Sequence, residues 1–479
     1  MSRSEWQVDI GLEIHVQLST NSKIFSGAST QFGAEPNTQA CSIDLGLPGV
    51  LPVVNEMVYE KAVTFGLGIG AKINKRSVFD RKNYFYPDSP KGYQITQLSH
   101  PIVEGGQIEI VLSNNTTKLI NVTRAHLEED AGKSVHDEFH EHSGIDLNRA
   151  GTPLLEIVSE PEMKSSEEAV AYAKYMHQLV TYLMVSDGDM SQGSLRCDAN
   201  VSVRRLGDKD LGVRTETKNL NSFRFLERAI EFEIDRQIRA REAGETIRQE
   251  TLLYDSVLNE TRPMRSKETA TDYRYFPEPD LLPVEISEAY IDAIRQKMPE
   301  LSHQKVNRFI KDYQLSEEDA KALAANTTLS KYFEDVVATS KDPKLSANWI
   351  RVELMARLNK DNLDSTSIPV LATETGYLIA RIKDASISGK IAKLVFDALW
   401  QGEASAKNYI EKNDLVQVSD SSELGPLIDK IIASNPKQAE QFRSGKTKLM
   451  GFFVGQVMKE TQGKANPQQV NELLQAKLC

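Results

Sequence analysis

Glu128, Glu129 and Asp130 stand side by side at the end of an apolar, strand-like approach, Leu119-Ile120-Asn121-Val122, inside the run TRAHLEEDAGKS. Three consecutive carboxylates repel one another unless a cation or a basic group sits among them. Arg124, His126 and Lys133 lie in the same run. An acidic turn of this kind is ordinarily a solvated surface feature, but four other stretches repeat the pattern. Glu13 and His15 share one face of Ile10–Leu18, opposite Ile10, Leu12, Ile14, Val16 and Leu18. Glu156 sits inside Leu154-Leu155-Glu156-Ile157-Val158, so it is on the wet side of a strand or buried and paired. Asp198 alternates with apolar residues in GSLRCDANVSVR, and Glu216 shares a face with Arg214 and Lys218 in GVRTETKNLN.

Five strand-like segments of one region thus offer carboxylates. The three cysteines, Cys41, Cys197 and Cys479, include no pair with zinc spacing. A site built of carboxylates favours a hard cation, Mg²⁺ or Mn²⁺, which bridges phosphate oxygens while relieving the carboxylate repulsion. The stretch Asp80–Tyr93 (DRKNYFYPDSPKGY) adds Arg81, Lys82 and Lys91 interleaved with Tyr84, Phe85, Tyr86 and Tyr93, a mixture able to hold phosphate and stack a base, or simply to form a satellite core. Ala131-Gly132-Lys133-Ser134 ends like a phosphate-binding loop. The glycine that such a loop needs five residues before Gly132 is Leu127 instead, so that reading is set aside. The GLGIG at Gly66–Gly70 follows a helical rhythm and misplaces its third glycine, so it is no dinucleotide fingerprint. Cys197 has no base beside it, and no stretch reads as an amidase nucleophile loop.

The elements that must position these groups are β-segments in the first part of the chain. Phe32–Val54 reads as loops, Ser165–Met184 as a helix opened by a capping serine and an acidic turn, and Phe223–Glu242 as a long charged helix. Asp272–Leu281 (DYRYFPEPDL) reads as the closing segment of the first domain. From Ser287 helical patterns with acidic starts take over, and a second change falls near Gly402–Ala406. Beyond it lie a basic turn, Arg443–Lys448, and a helix whose Gly451 and Gly455, four apart, suggest a close approach of two helices. The expected fold class is therefore multidomain α+β: residues 1–286 carrying an antiparallel sheet, then an all-α domain over 287–402 and a helical tail over 403–479.

Composition sets the outer bounds. At about 150 residues per domain, 479 residues suggest about three domains. Hydrophobic residues make up 40%, enough for packed cores, and a formal charge of −11 argues against a surface that binds nucleic acid over its whole extent. Few cysteines, no signal-peptide pattern and no long apolar run lead to the expectation of a cytoplasmic protein with no membrane partner.

The stretches IGLEIHVQL, FGAEPN, LGLPGVLPVVN, DRKNYFYPD, HLEEDAGKS, DLNRAGTPLLEIVSEP, GSLRCDANVS, KNLNSF, DYRYFPEPDL, MGFFVGQVMK and ANPQQVNELL, in this order over nearly the whole chain, strongly resemble the B subunits of aspartyl/glutamyl-tRNA(Asn/Gln) amidotransferases. The resemblance implies a cradle domain related to glutamine synthetase and the guanidino kinases, followed by helical and tail domains. It implies an ATP-dependent ligase of the glutamine-hydrolysing carbon–nitrogen class, which phosphorylates the side-chain carboxylate of Glu on tRNA(Gln) or Asp on tRNA(Asn) and amidates it with channelled ammonia. It also implies a heterotrimer with a separate amidase (glutaminase) subunit and a small third subunit, acting on misacylated tRNA contacted in part by the tail.

Carried over by position, Glu13, His15, Glu129, Glu156, Asp198 and Glu216 become the expected metal and phosphoryl-transfer residues. Glu128 is the weaker member of the catalytic set Glu13, His15, Glu128, Glu129 and Glu156. Lys82, Tyr84, Tyr86 and Lys218 are the expected substrate- or nucleotide-positioning groups, with ATP and Mg²⁺ (or Mn²⁺) as cofactors. Many members carry a cysteine pair where this chain has Cys41 alone, so no structural zinc is expected. Two other readings stand beside this one: a tRNA-binding scaffold whose catalysis lies elsewhere, and a free-standing ATP-dependent amide ligase.

Overall fold

The computed structural model describes residues 3–135, 142–264, 273–416, 421–461 and 465–478. Asp272, the first residue of DYRYFPEPDL, and Cys479 lie outside the described residues. The chain divides into two compact units, Met1–Pro299 and Glu300–Cys479.

In the first unit the elements follow in the order β1 (Trp6–Gln17), α1 (Glu56–Gly68), β2 (Lys72–Ile73), β3 (Asp80–Asn83), β4 (Tyr93–Thr96), β5 (Val103–Glu104), β6 (Gln107–Val111), β7 (Thr117–Glu129), β8 (Pro153–Ser159), α2 (Ser166–Tyr182), β9 (Leu195–Arg205), β10 (Thr215–Leu220), α3 (Phe223–Glu242), β11 (Thr251–Asp255), β12 (Glu260–Pro263), β13 (Phe276–Pro277) and α4 (Glu288–Lys297). Ten of these strands form one sheet among the described residues, in the order β12-β11-β10-β9-β1-β8-β7-β5-β2, with β6 also paired to β7. All neighbours run antiparallel except β10 and β11, which are parallel. A smaller sheet joins β13, β3 and β4.

The period-two pattern of β1 decides which way this sheet faces. Ile10, Leu12, Ile14 and Val16 are fully buried, together with Cys197, Ala199 and Val201 of β9 and Leu155 and Ile157 of β8. Helices α1, α2 and α3 pack on the sheet, and α2 brings the buried Tyr172 close enough for its phenol to sense Cys197. At about 25 cal/mol per Å² of apolar surface removed from water, each buried Ile or Leu contributes about 1.5–3 kcal/mol to holding these helices on that side. The opposite side of the central strands is left to polar residues.

Local signals start each helix. Asn55 accepts the Met57 N–H, Ser165 the Glu168 N–H and Ser222 the Phe225 N–H. Inside α3 the fully buried Glu233 accepts hydrogen bonds from Thr215 of β10 and Thr261 of β12, and pairs with Arg236 through two bonds of 2.9 and 2.7 Å. One carboxylate thereby fastens the helix to two strands. Phe32–Val54 is irregular, as its Gly, Pro and Asn content predicts. The first unit runs past the change of sequence character at Ser287 because α4, although helical, packs on α1.

Beyond Glu285 the described residues contain no strand. The second unit holds two apolar cores. One gathers Phe309, Phe333, Trp349, Leu378 and Phe396, and the other Leu424, Ile428, Phe453, Val457, Val470 and Leu474. In the helix Met450–Glu460 the expectation of a close helix–helix approach at glycine is overturned. Gly451 and Gly455 are exposed with open space beside them, and Phe453 and Val457 supply the packing face instead.

Candidate active site

The register of the central strands assembles the polar face row by row. Residues directly opposite one another in an antiparallel pair point to the same side. Glu13 of β1 lies opposite Asp198 of β9, and His15 opposite Arg196 of β9 and Glu156 of β8. Glu156 in turn lies opposite His126 of β7, and Asn200 of β9 opposite Glu216 of β10. Five adjacent strands, β10-β9-β1-β8-β7, therefore deliver Glu216, Asp198, Glu13, His15, Glu156, His126 and Glu128 to one surface.

Two subclusters form on it. In the first, His15 Nε2 lies 3.4 Å from Glu156 Oε2 and 3.6 Å from Glu128 Oε1, while His126 Nε2 is 3.4 Å from Glu156 Oε2 and 4.0 Å from Glu128 Oε2. Ligand atoms of His15, Glu128 and Glu156 all lie within 4.8 Å of one another, a spacing able to hold a metal ion. In the second, Asn200 Nδ2 donates to Glu13 Oε1 at 2.9 Å. Lys218 Nζ bridges Glu216 at 3.0 Å and Asp198 at 3.5 Å, and the Asn219 N–H donates to Asp198 Oδ1 at 2.9 Å.

Charges on this face are strongly coupled. Burial alone would depress the His15 pKa, but contact with Glu156 and the charges of Glu128 and Asp198 raise it to about 9, so the ring carries a proton at neutral pH. Burial also opposes ionisation of Glu156, yet His126 and His15 hold its carboxyl well below the usual range. Glu13 moves the other way: burial, then Glu156, Glu216 and Asp198, push it up. Lys82 is buried, which works against its charge, but Glu128 and Glu156 more than offset this and raise its pKa.

The remaining expected residues fall as follows. Glu129 does not join the histidine cluster. One residue further along β7 it faces away from Glu128, with Lys91 paired to both of its oxygens and the Ile95 N–H donating to it at 2.7 Å. Tyr84 stands beside Lys82, whose Nζ is 6.0 Å from its ring centre. Tyr86 is 47% exposed and meets Tyr84 edge-on at 5.8 Å. Behind the histidines Asp130 accepts from Arg196 at 2.9 Å and Gln17 at 3.1 Å, with Arg149 at 3.5 Å. The Cys197 thiol is fully buried and pushed up to about 12, which removes it as a nucleophile.

Sequence reasoning left His126, Asn200 and Tyr273 out of the candidate set. The first two were findable: each stands two residues from a chosen carboxylate on an alternating strand, Glu128 and Asp198 respectively. Tyr273 carried no such signal, since only the folded structure brings it to Lys82, 5.1 Å from its ring centre to the ammonium.

Residues 8–292 match the family described as the GatB/GatE catalytic domain, and residues 331–478 match the GatB domain. The chain belongs to this GatB family. It is 59% identical over 478 residues to the B subunit of the aspartyl/glutamyl-tRNA(Asn/Gln) amidotransferase of Hahella chejuensis, an alignment covering 99% of this chain and 100% of that one. The B subunit of the same name from Thioalkalivibrio sulfidiphilus is 60% identical over 475 residues, with 99% and 100% covered, and that of Coxiella burnetii is 57% identical over 476, with 99% and 100% covered. Among the described residues no helix is long and apolar enough to cross a membrane.

Proposed function

We propose that this chain is the B subunit of a tRNA-dependent amidotransferase and carries its kinase-like centre on the polar face of the β10-β9-β1-β8-β7 sheet. The γ-phosphoryl group of ATP passes to the side-chain carboxylate of Glu on tRNA(Gln) or Asp on tRNA(Asn), and ADP leaves. Ammonia from a glutaminase partner then attacks the activated carbonyl, and inorganic phosphate departs as the amide forms. A carboxylate is a poor electrophile, so this activation is what makes amide formation possible. In the same reading the first domain is a cradle of the glutamine synthetase and guanidino kinase kind, a small third subunit completes the complex, and the tail over residues 403–479 contacts tRNA.

The observation that carries this reading is the convergence of His15, Glu128 and Glu156. Without a metal the protonated imidazole holds a positive charge between Glu128 and Glu156. A divalent cation suited to one imidazole nitrogen and carboxylate oxygens would take that place and displace the proton, since only the neutral ring is a ligand. When bound, Mg²⁺ or Mn²⁺ supplies charge neutralisation between two anionic reactants. The chain's own residues do the rest. His126 holds Glu156 ionised, Asn200 orients Glu13, and Lys218 keeps Asp198 and Glu216 from repelling one another. The Lys82 ammonium meets negative charge that develops on the transferring group.

The test is a reconstituted complex given misacylated tRNA and ATP labelled in its γ-phosphate. Label appearing transiently on the aminoacyl side chain before ammonia is supplied, and lost in Glu128→Gln, is the expected result. Full amidation by the Glu128→Gln complex would reduce this chain to a tRNA-binding scaffold.

A further inference from the structure

Lys82 differs from Lys91, Lys218 and Lys23 in what holds it. Lys91 is paired with Glu129, Lys218 with Glu216 and Asp198, and Lys23 with Asp44. No carboxylate among the described residues lies within 4 Å of the Lys82 ammonium. Two tyrosine rings flank it instead: the Tyr273 ring centre at 5.1 Å and the Tyr84 ring centre at 6.0 Å. These rings brace one another edge-on, Tyr84 with Tyr273 at 6.3 Å and Tyr273 with Tyr275 at 6.0 Å. A ring face stabilises a cation without neutralising it. The ammonium is thus fixed in place while its charge stays available to an anionic reactant.

Tyr273 reaches this position from far along the chain, and the structure shows how it is held. The Asn83 N–H donates to the Tyr273 carbonyl at 2.9 Å, and Asn83 Nδ2 donates to the carbonyls of Tyr273 and Arg274 at 3.2 and 2.8 Å. Strand β13 then pairs with β3, Phe276 opposite Arg81. The clamp is Arg81, whose Nε and Nη2 donate to the two oxygens of Glu278 at 2.7 and 2.8 Å. Glu278 is only 2% exposed, and its N–H donates to the Phe79 carbonyl at 2.8 Å. Arg81 itself lies over the Tyr93 ring at 4.2 Å. A two-bond guanidinium–carboxylate pair fixes orientation as well as distance. Arg81 precedes Lys82 on one short strand, so the clamp sets the lysine and its aromatic wall together.

We propose that Tyr273, locked to strand β3 by the Arg81–Glu278 clamp, is the positioning residue that aims the Lys82 ammonium at the phosphoryl group transferred on the polar sheet face. The inference rests on the function proposed above and names what orders one of its charged groups. Tyr273 acts through Lys82 and does not itself touch the reacting atoms. Its contribution is the face of its ring, and the hydroxyl plays no part.

Four variants of the full chain, each in the reconstituted complex with misacylated tRNA and ATP, separate the possibilities. Tyr273→Phe keeps the ring and should stay within about twofold of the parent kcat. Tyr273→Leu removes the ring face and should lower kcat by about 10- to 100-fold, the scale of a misplaced catalytic group, with the KM for tRNA little changed. Glu278→Gln weakens the clamp from a distance and should lower kcat in the same sense while Tyr273→Phe does not. Lys82→Met tests the underlying reading. Full amidation by Lys82→Met would sink the role of Lys82, whereas a dead Lys82→Met beside a fully active Tyr273→Leu would overturn the positioning role alone. Equal losses in Tyr273→Phe and Tyr273→Leu would also overturn it, because they would trace the effect to the hydroxyl. Should Glu278→Gln fail to fold, the two Tyr273 variants decide the matter.

Discussion

Glu128 and Glu129 are neighbours in the chain whose carboxylates lie on opposite sides of β7, one 3.6 Å from the His15 ring and the other against Lys91. Their substitutions should therefore fail in different ways. Glu128→Gln is expected to lose at least 100-fold in ATP-dependent amidation while unfolding at the parent temperature. Glu129→Gln leaves the buried Lys91 without its counter-charge, and breaking such a pair costs about 3 kcal/mol. Parallel thermal unfolding and amidation assays check the contrast, and the same profile from both variants would contradict it.

Cation binding offers a test independent of turnover. Mn²⁺ titrated into the full chain and followed by magnetic resonance should bind at least tenfold more weakly to His15→Ala and to Glu156→Gln than to the parent. Glu129→Gln, provided it is folded, should bind as the parent does. Unaltered binding in His15→Ala would remove the imidazole from the ligand set.

Asp130 predicts a pH dependence. Burial by itself would raise its pKa, but Arg196 and Arg149 together with the Gln17 hydrogen bond hold it below the usual aspartate value. A carboxyl with a depressed folded-state pKa contributes stability that is present above its unfolded value and lost as pH falls through the folded one. Asp130→Asn should therefore be destabilised by about 2–3 kcal/mol at pH 7, with the gap to the parent closing at pH below about 4. Denaturant unfolding at several pH values checks this, and a gap that widens in acid would refute it.

Glu233 is expected to be the most costly single carboxylate of α3. Glu233→Ala leaves Arg236, Thr215 and Thr261 without their common acceptor. The loss should be about 3–5 kcal/mol, visible as a lower unfolding midpoint in urea. Amidation measured well below that midpoint should persist, since α3 lies on the other side of the sheet from the polar cluster.

Much of this arrangement was readable from the sequence because its signals are local. The alternation of Ile10–Leu18 assigns Glu13 and His15 to one face without any knowledge of their neighbours, and the capping serine Ser165 marks its helix on its own. The choice between Glu128 and Glu129 is not local. Both follow the same apolar run, and only the pairing of β7 with β8, Glu156 opposite His126, settles which parity faces the histidines. The same applies to Tyr273, whose partner Lys82 lies on a strand formed nearly 200 residues earlier, and to Gly451 and Gly455, whose spacing says nothing about which side of the helix meets its core.

The alternating pattern of β1 carries a cost for error. Sliding it one position against β8 and β9 would swing Ile14 outward and bury Glu13 and His15 among Tyr172 and its apolar neighbours. Loss of core and loss of chemistry would arrive together. A mispaired chain is then too unstable to persist as an inert competitor for its partners, and the packing of the sheet serves as the proofreader of its own charged surface.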